Sequence, residues 1–127
     1  MDIVGELSEN SIPNILDVET IDIGNTVTSI GNRAFYNCSC LISVVIPDSV
    51  TSIGSYAFTD CSITSVTLPN NLTSMGQCAF VGCSDISGTL IIPDSVTSIG
   101  VAVFQNCRSI TNLIIGSGVR SIGLYGF

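Results

Sequence analysis

The chain has 127 residues, and a hydrophobic content of 46% with 10% charged residues is enough to bury the continuous core of one domain. Three arginines and no lysine stand against ten acids, so the net charge of −7 excludes the basic footprint of a nucleic-acid-binding protein and attraction to an anionic membrane. The apolar runs are only a few residues long, which argues against a membrane-spanning helix, and the first residues lack the basic-then-apolar pattern of a secretory signal.

Residues 1–15 come before the regular part of the chain and fit its pattern poorly, so we expect an N-terminal cap or a segment that completes a coil. From residue 16 to residue 127 the sequence repeats. All five phenylalanines lie 22 to 24 residues apart, each is preceded four places earlier by Gly, and the first four are followed three places later by Cys. A fixed period of this length predicts a solenoid. The phenylalanines are Phe35, Phe58, Phe80, Phe104 and Phe127.

Each repeat contains an apolar stretch that ends in Pro or Gly, such as residues 41–47, 63–69 and 110–116. Alternate residues of this stretch point inward, which predicts a strand, and Pro ends it because Pro cannot donate to a ladder. The phrase Val-Thr-Ser-Ile then predicts a second short extended piece, Gly turns the chain, and Phe enters the core. Stacked coils would build parallel sheets at about 4.8 Å per coil.

Two repeats differ in length from the others. The second full unit is one residue shorter just after Cys61, and the third is one residue longer near Gly88. Both changes fall beside the predicted strand, while the other landmarks stay in register. A solenoid tolerates this because a loop absorbs an insertion that the stacked core cannot.

The phrase Ile-Pro-Asp-Ser-Val-Thr-Ser-Ile-Gly-x-x-Ala-Phe-x-x-Cys, as in residues 46–61, resembles the BspA-like, or Treponema pallidum-type, leucine-rich repeats. The resemblance implies a mainly β leucine-rich-repeat solenoid of about five coils of 22 to 24 residues, with parallel sheets and short turns or helical segments. It also implies a surface-exposed or secreted protein that acts as an adhesin toward host matrix proteins or other microbes.

The chemistry-bearing residues favour structural roles. The Cys that follows each Phe fits a small buried side chain at the coil edge. Metal ligation would need converging thiols or His partners, and the chain has no His. Cys40 and Cys78 lie outside this ladder and are expected to be exposed free thiols, although a disulfide stays open. Without a His base or paired acids we predict no catalytic residue, no metal site, no cofactor and no enzyme activity.

Two surfaces are candidates for binding. The outward residues of the predicted strands form nearly uncharged rows up one face, which suits contact with a protein. They are Thr20, Asp22, Ser43, Val45, Ser65, Thr67, Thr89, Ile91, Asn112 and Ile114. The sequence also stops in mid-repeat at a ring that should be buried, so the ends are candidates for end-to-end contact. Those residues are Met1, Ile3, Val4, Leu7, Leu124, Tyr125 and Phe127.

The leading hypothesis is a non-enzymatic surface or extracellular scaffold that binds a partner protein and is adhesin-like by resemblance. The alternative is a structural subunit that binds copies of itself head to tail in an extracellular filament, since heterologous contacts generate open filaments. Nucleic acid and membrane insertion are not expected for either.

Overall fold

The computed structural model describes residues 17–127, and residues 2–3 and 6–7 by their backbone alone. Among these described residues, eleven short strands, all paired in parallel, follow one another in successive coils. The strands are β1 (Asp2–Ile3), β2 (Glu6–Leu7), β3 (Thr20–Ile23), β4 (Ser29–Ile30), β5 (Ser43–Val45), β6 (Ser52–Ile53), β7 (Ser74–Met75), β8 (Gly88–Ile92), β9 (Ser98–Ile99), β10 (Ile110–Ile115) and β11 (Ser121–Ile122).

The first sheet, here called the Ser-Ile spine, contains one two-residue strand from every coil, in the order β11-β9-β7-β6-β4-β2. Serine pairs with serine along it, as in Ser29↔Ser52, and Ile30 pairs with Ile53. At its start Glu6 pairs with Ser29 in the same register. The phrase Val-Thr-Ser-Ile therefore forms the second extended piece that the sequence predicts, and the spine runs without interruption through all six of its strands.

The second sheet, here called the face sheet, is in two parts. One part has the order β1-β3-β5, and the other pairs β10 with β8. Between them, residues 63–68 should form the strand of their coil, and this prediction is wrong: the segment contains no strand. The two length changes lie on either side of the break, one after Cys61 and the other at Gly88, which has a φ of +79° and lies beside a register shift against β10. Neighbouring backbones that advance by different numbers of residues cannot keep their amides opposite one another, so the ladder is lost here.

A third set of inter-coil bonds joins the turn segments. Amides of alternate residues donate to the next coil, as from Arg33 to the Ser55 carbonyl at 2.9 Å and from Phe35 to the Ala57 carbonyl at 2.8 Å. This alternation requires left-handed backbone at two positions per coil, for example Arg33 and Asn37, both with φ of 57°. The second position is occupied by Asn37, Asp60, Gly82 and Asn106, residue types that tolerate this region.

The landmark glycines, such as Gly54, serve close approach between coils. Each lies directly before a turn segment, and its φ is not positive, so this turn does not use the left-handed backbone that glycine allows. A Cβ on Gly54 would lie 2.6 Å from the backbone nitrogen of Asn32 in the preceding coil, and one on Gly123 would lie 2.7 Å from the carbonyl carbon of Gly100. Only a residue without a side chain lets the backbones stack at this corner.

Phenylalanines form the centre of the core. The rings of Phe35, Phe58, Phe80 and Phe104 are at most 1% exposed, and successive centroids lie 5.1, 5.1 and 5.3 Å apart with nearly parallel planes. Phe127 continues the stack at 5.5 Å. Ring spacing close to the distance between strands shows that equivalent residues lie directly above one another. The predicted solenoid with parallel sheets is therefore confirmed, and within residues 17–127 no α-helix is present.

The last coil leaves core positions open. Leu113 and Ile115, which should point inward, are 40% and 42% exposed, and Phe127 is 44% exposed. Their equivalents in inner coils, such as Leu90 and Ile92, are buried. The orientation of these side chains follows the repeat, and β10 and β11 each pair with a strand on one side only.

Candidate binding surface

Eight of the ten residues that the sequence analysis assigned to the outer side lie on strands of the face sheet, and all ten are exposed. Alternation along the strands produces this, since β3 has the burial pattern exposed, buried, exposed, buried. One row is mainly aliphatic, with Val45, Ile91 and Ile114 each more than half exposed. The neighbouring row, in which Ser43 and Thr89 lie, is polar and uncharged. Aliphatic groups beside hydroxyls form a surface that can exclude water and still hydrogen-bond.

The interruption of the face sheet divides this surface. Ser65 and Thr67 lie on the segment without a strand, and a cleft of about 580 Å³ opens there. Its lining comes from three successive coils. It comprises Val66, Thr67, Leu68, Asn70, Thr89, Ile91, Ile92, Pro93, Asp94, Ser95, Ile114, Ile115 and Gly116.

The sequence analysis did not identify the turn residues that line this cleft, such as Asn70 and Asp94. The only signal in the sequence was the pair of opposite length changes on either side of the unpaired segment. Those changes mark the coil where pairing fails, but they do not give the width of the opening that results.

Two carboxylates stabilise the turns beside the cleft. Asp48 Oδ1 accepts a hydrogen bond from the Asn70 amide at 3.0 Å, and Asp94 Oδ1 accepts one from the Ser117 amide at 2.7 Å. Each aspartate therefore bonds the turn of the next coil. In residues 17–127 neither carboxylate is in an ion pair with an arginine, and the lining of the cleft contains no basic side chain. The turn end of the cleft therefore carries negative charge.

The cysteine ladder has a structural role, because its thiols bond between coils. Three of its thiols donate to the carbonyl of the Phe in the preceding coil: Cys61 to Phe35 at 3.1 Å, Cys83 to Phe58 at 2.9 Å and Cys107 to Phe80 at 3.1 Å. Burial raises the pKa of Cys83 to about 12 and that of Cys107 to about 11, so both stay neutral and unreactive. All cysteines in the described part are free.

Cys40 is exposed, as the sequence predicts, whereas Cys78 is only half-buried rather than exposed, because it lies at a left-handed turn position packed against the next coil. In the part of the chain with described side chains, no cluster of three or more His, Cys, Asp or Glu side chains could hold a metal. No helix among the described residues is long and apolar enough to cross a membrane.

The end-to-end candidates are only partly visible. Leu124 and Tyr125 are 68% and 61% exposed and lie beside the half-open ring of Phe127. Met1 and Val4 lie outside the described residues. Ile3 and Leu7 belong to β1 and β2, and only their backbone is described. Contact between the two ends stays a prediction.

Residues 6–127 match the family of BspA type leucine rich repeat regions in six copies. Among solved structures, a leucine-rich cell surface protein of Faecalibacterium prausnitzii is 32% identical, with a TM-score of 0.80, over 87% of this chain and 30% of that one. A leucine-rich repeat protein of Eubacterium ventriosum is 26% identical, with a TM-score of 0.75, over 94% of this chain and 33% of that one.

The leucine-rich repeat protein of T. pallidum has 20% identity and a TM-score of 0.76, which shows the shared fold, over 95% of this chain and 67% of that one. No curated protein is significantly similar to the chain in sequence. The chain thus spans about a third of the F. prausnitzii and E. ventriosum proteins.

Proposed function

We propose that this chain, which belongs to the BspA-type leucine-rich repeat family, is a non-enzymatic protein-binding module that acts at a cell surface or outside the cell as part of an adhesin. The family and its relatives indicate a protein-interaction scaffold. The F. prausnitzii relative is described as a cell surface protein. Adhesion and the location of this chain are the proposed part.

The observation that carries the proposal is the exposed outer side of the face sheet. Val45, Ile91 and Ile114 belong to a row of aliphatic side chains exposed to water. A partner that covers this row lowers the free energy by removing apolar surface from water. The surface has almost no charged side chains that could bind a small ionic substrate. Its aliphatic groups beside hydroxyls suit a protein partner better.

Binding to a panel of purified host matrix proteins, measured by surface plasmon resonance, tests this function. For the matrix protein that binds, Val45→Gln should weaken binding roughly tenfold, because a central apolar contact is lost. Val101→Gln is the matched control: Val101 is an exposed aliphatic residue at 46%, but it lies on the turn edge away from the face sheet. Equal losses from both variants, or no binding to any matrix protein, would count against the proposal.

The second candidate function is head-to-tail self-assembly. Exposure of the open coil supports it, since Leu113, Ile115 and Phe127 present core side chains that another coil would bury. Size-exclusion chromatography with light scattering over a range of concentrations tests it. Growing species that Phe127→Ser abolishes would favour assembly, whereas a monomer at all concentrations would eliminate it.

A further inference from the structure

We propose that the outer side of the Ser-Ile spine binds a short oligosaccharide that ends in an acidic sugar. Arg33 holds the carboxylate of that sugar, and a groove of serines and glycines holds the neutral sugars next to it. The site lies on the spine and not on the face sheet, which carries the proposed protein-binding function. The inference therefore goes beyond that function and does not depend on it.

Arg33 lies in a cluster with two tyrosines. Its guanidinium carbon is 5.6 Å from the ring centroid of Tyr36 and 5.5 Å from that of Tyr56, and the two rings meet edge to face at 6.5 Å. The backbone is anchored as well, since the Arg33 amide donates to the Ser55 carbonyl at 2.9 Å. Cation–π contacts hold the guanidinium without using its N–H groups as hydrogen-bond donors. These donors form a planar fork that matches the two oxygens of a carboxylate.

The distribution of charge on the spine side favours an anion. Four stretches, one from each successive coil region after residue 17, contain neither Asp nor Glu, although they contain all three arginines. They are residues 23–37, 49–59, 71–84 and 95–127. The acid that joins the spine is Glu6, which pairs with Ser29 in the coil before Tyr56. Most of the net charge of −7 therefore lies away from Arg33, and the local field does not oppose a single carboxylate.

A polar groove of about 390 Å³ runs along the spine beside this cluster. Its glycines, such as Gly54, lie between a row of serines and the row that contains Asn32 and Ser55. The missing side chains of the glycines leave the space between the two polar rows. Because Asn32 directly precedes Arg33 in the chain, the groove and the cluster adjoin.

The hydroxyls of the groove are available to a ligand, unlike those of the threonine row beside it. The Thr51 hydroxyl donates to the Thr28 carbonyl of the preceding coil at 3.3 Å. The hydroxyls of Ser52 and Ser74 line the groove and bond to no other described residue. Asn32 Oδ1 accepts from an amide of the next coil at 2.8 Å, so its NH₂ group is left to donate. Neutral donors and acceptors of this kind suit the hydroxyls of a sugar.

The repeat distance of the groove matches an extended oligosaccharide. Equivalent residues recur once per coil, and the rings of Phe35 and Phe58 show a spacing of 5.1 Å between coils. An extended β-linked sugar chain advances by a similar distance per sugar, so successive sugars meet equivalent groups. With the acidic sugar at Arg33, the neutral sugars lie along Ser52 and Ser74.

The test measures binding of defined sugars by isothermal titration calorimetry. Sialyllactose and a xylose chain ended by glucuronic acid each present a carboxylate on a neutral chain, from two different sugar acids. Their methyl esters keep the shape and lose the charge, and methyl sialoside lacks the neutral chain. An acidic oligosaccharide should bind at least about tenfold more tightly than its ester, because a charge-assisted bidentate bond is lost in the ester. Whichever sugar acid binds more tightly identifies the source of the carboxylate.

Three variants locate the site. Arg33→Gln should weaken binding of the acidic oligosaccharide about tenfold, and Arg33→Lys should restore only part of the loss, because lysine has the charge without the planar fork. Ser52→Ala removes a groove hydroxyl and should weaken binding of the acid and the ester alike. Arg120→Gln is the matched control, because Arg120 is also exposed beside the spine but does not line the groove. Circular dichroism checks that each variant keeps its fold.

Four outcomes would overturn the proposal: equal binding of acid and ester, equal losses from Arg33→Gln and Arg120→Gln, equally tight binding of a glutamate-containing peptide, or no binding at millimolar sugar. Val45→Gln should leave sugar binding unchanged, because Val45 lies on the face sheet. A chain that binds the sugar but no matrix protein would keep this site and lose the proposed function. The reverse result would keep the function and lose the site.

Discussion

Truncation of the central ring of the phenylalanine stack, Phe80→Ala, is the most direct test of the coil architecture. Phe80 is fully buried and lies between Phe58 at 5.1 Å and Phe104 at 5.3 Å. Large-to-small changes at buried phenylalanines cost about 3–5 kcal/mol, and loss of two stacked ring contacts places this site near the upper end. Such a loss is a large share of the stability of a small domain.

Urea unfolding followed by circular dichroism measures this loss, with two comparison variants. Phe127→Ala removes the same side chain from the open coil, where the ring is 44% exposed and has one stacked neighbour, so it should cost only about 1–2 kcal/mol. Thr67→Ala, on the exposed unpaired segment, should cost less than about 0.5 kcal/mol. Phe80→Leu keeps most of the volume if the alanine variant does not fold. Equal losses at Phe80 and Phe127 would refute the stack as the centre of the core.

Three further predictions use the same unfolding and labelling assays. Gly54→Ala should destabilise by about 2–3 kcal/mol, because its Cβ would meet the preceding backbone, whereas Gly88→Ala should cost about 1 kcal/mol, since its φ is unfavourable but the space is open. The free energy of unfolding should fall by up to about 2 kcal/mol per thiol between about pH 9 and pH 10.5. In the unfolded chain Cys83 and Cys107 lose their protons near the ordinary thiol pKa, whereas in the folded chain their pKa values are about 12 and about 11. Cys83→Ala should reduce this pH dependence. Iodoacetamide should label Cys40 in the folded chain and leave Cys83 unmodified until urea is added, with mass spectrometry as the readout, and equal labelling of both would contradict the burial of the ladder.

The parts of the fold that repeat could be predicted from the sequence. The positions of Phe58 and Phe80, one period apart, required rings stacked on one another, and the structure stacks them within 7° of parallel. The Ser-Ile phrase likewise gave the register of the spine, since a side chain that recurs at a fixed period in stacked coils must meet its own equivalent. The exposed rows of the face sheet followed from alternation along each strand.

The parts that depend on how coils fit together could not be predicted. The spacing of Gly54 and its equivalents suggested a turn. Glycine is required at Gly54 because a Cβ there would lie 2.6 Å from the backbone of the preceding coil. The sequence of a single coil does not reveal this contact. The first left-handed position of each coil falls instead on residues such as Arg33 and Tyr56, types that give no local signal for this conformation. Loss of the strand at residues 63–68 depends on the mismatch of two neighbouring coils; the length changes were visible in the sequence, but their effect on pairing was not.

The two sheets have different tolerance for change, and this difference bears on where binding can evolve. Every coil contributes a strand to the Ser-Ile spine, and glycines such as Gly54 and Gly76 leave no room beside it, so a change of length there would break contacts in both neighbouring coils. The face sheet loses one strand at residues 63–68, yet Phe58 and Phe80 remain fully buried beneath the interruption. Because the spine and the ring stack keep the coils in register, a coil can gain or lose a residue on the face without unfolding its neighbours. A length change on that side therefore alters the outer surface while the core stays intact, which makes the face sheet the side of the solenoid on which related chains can differ in surface shape.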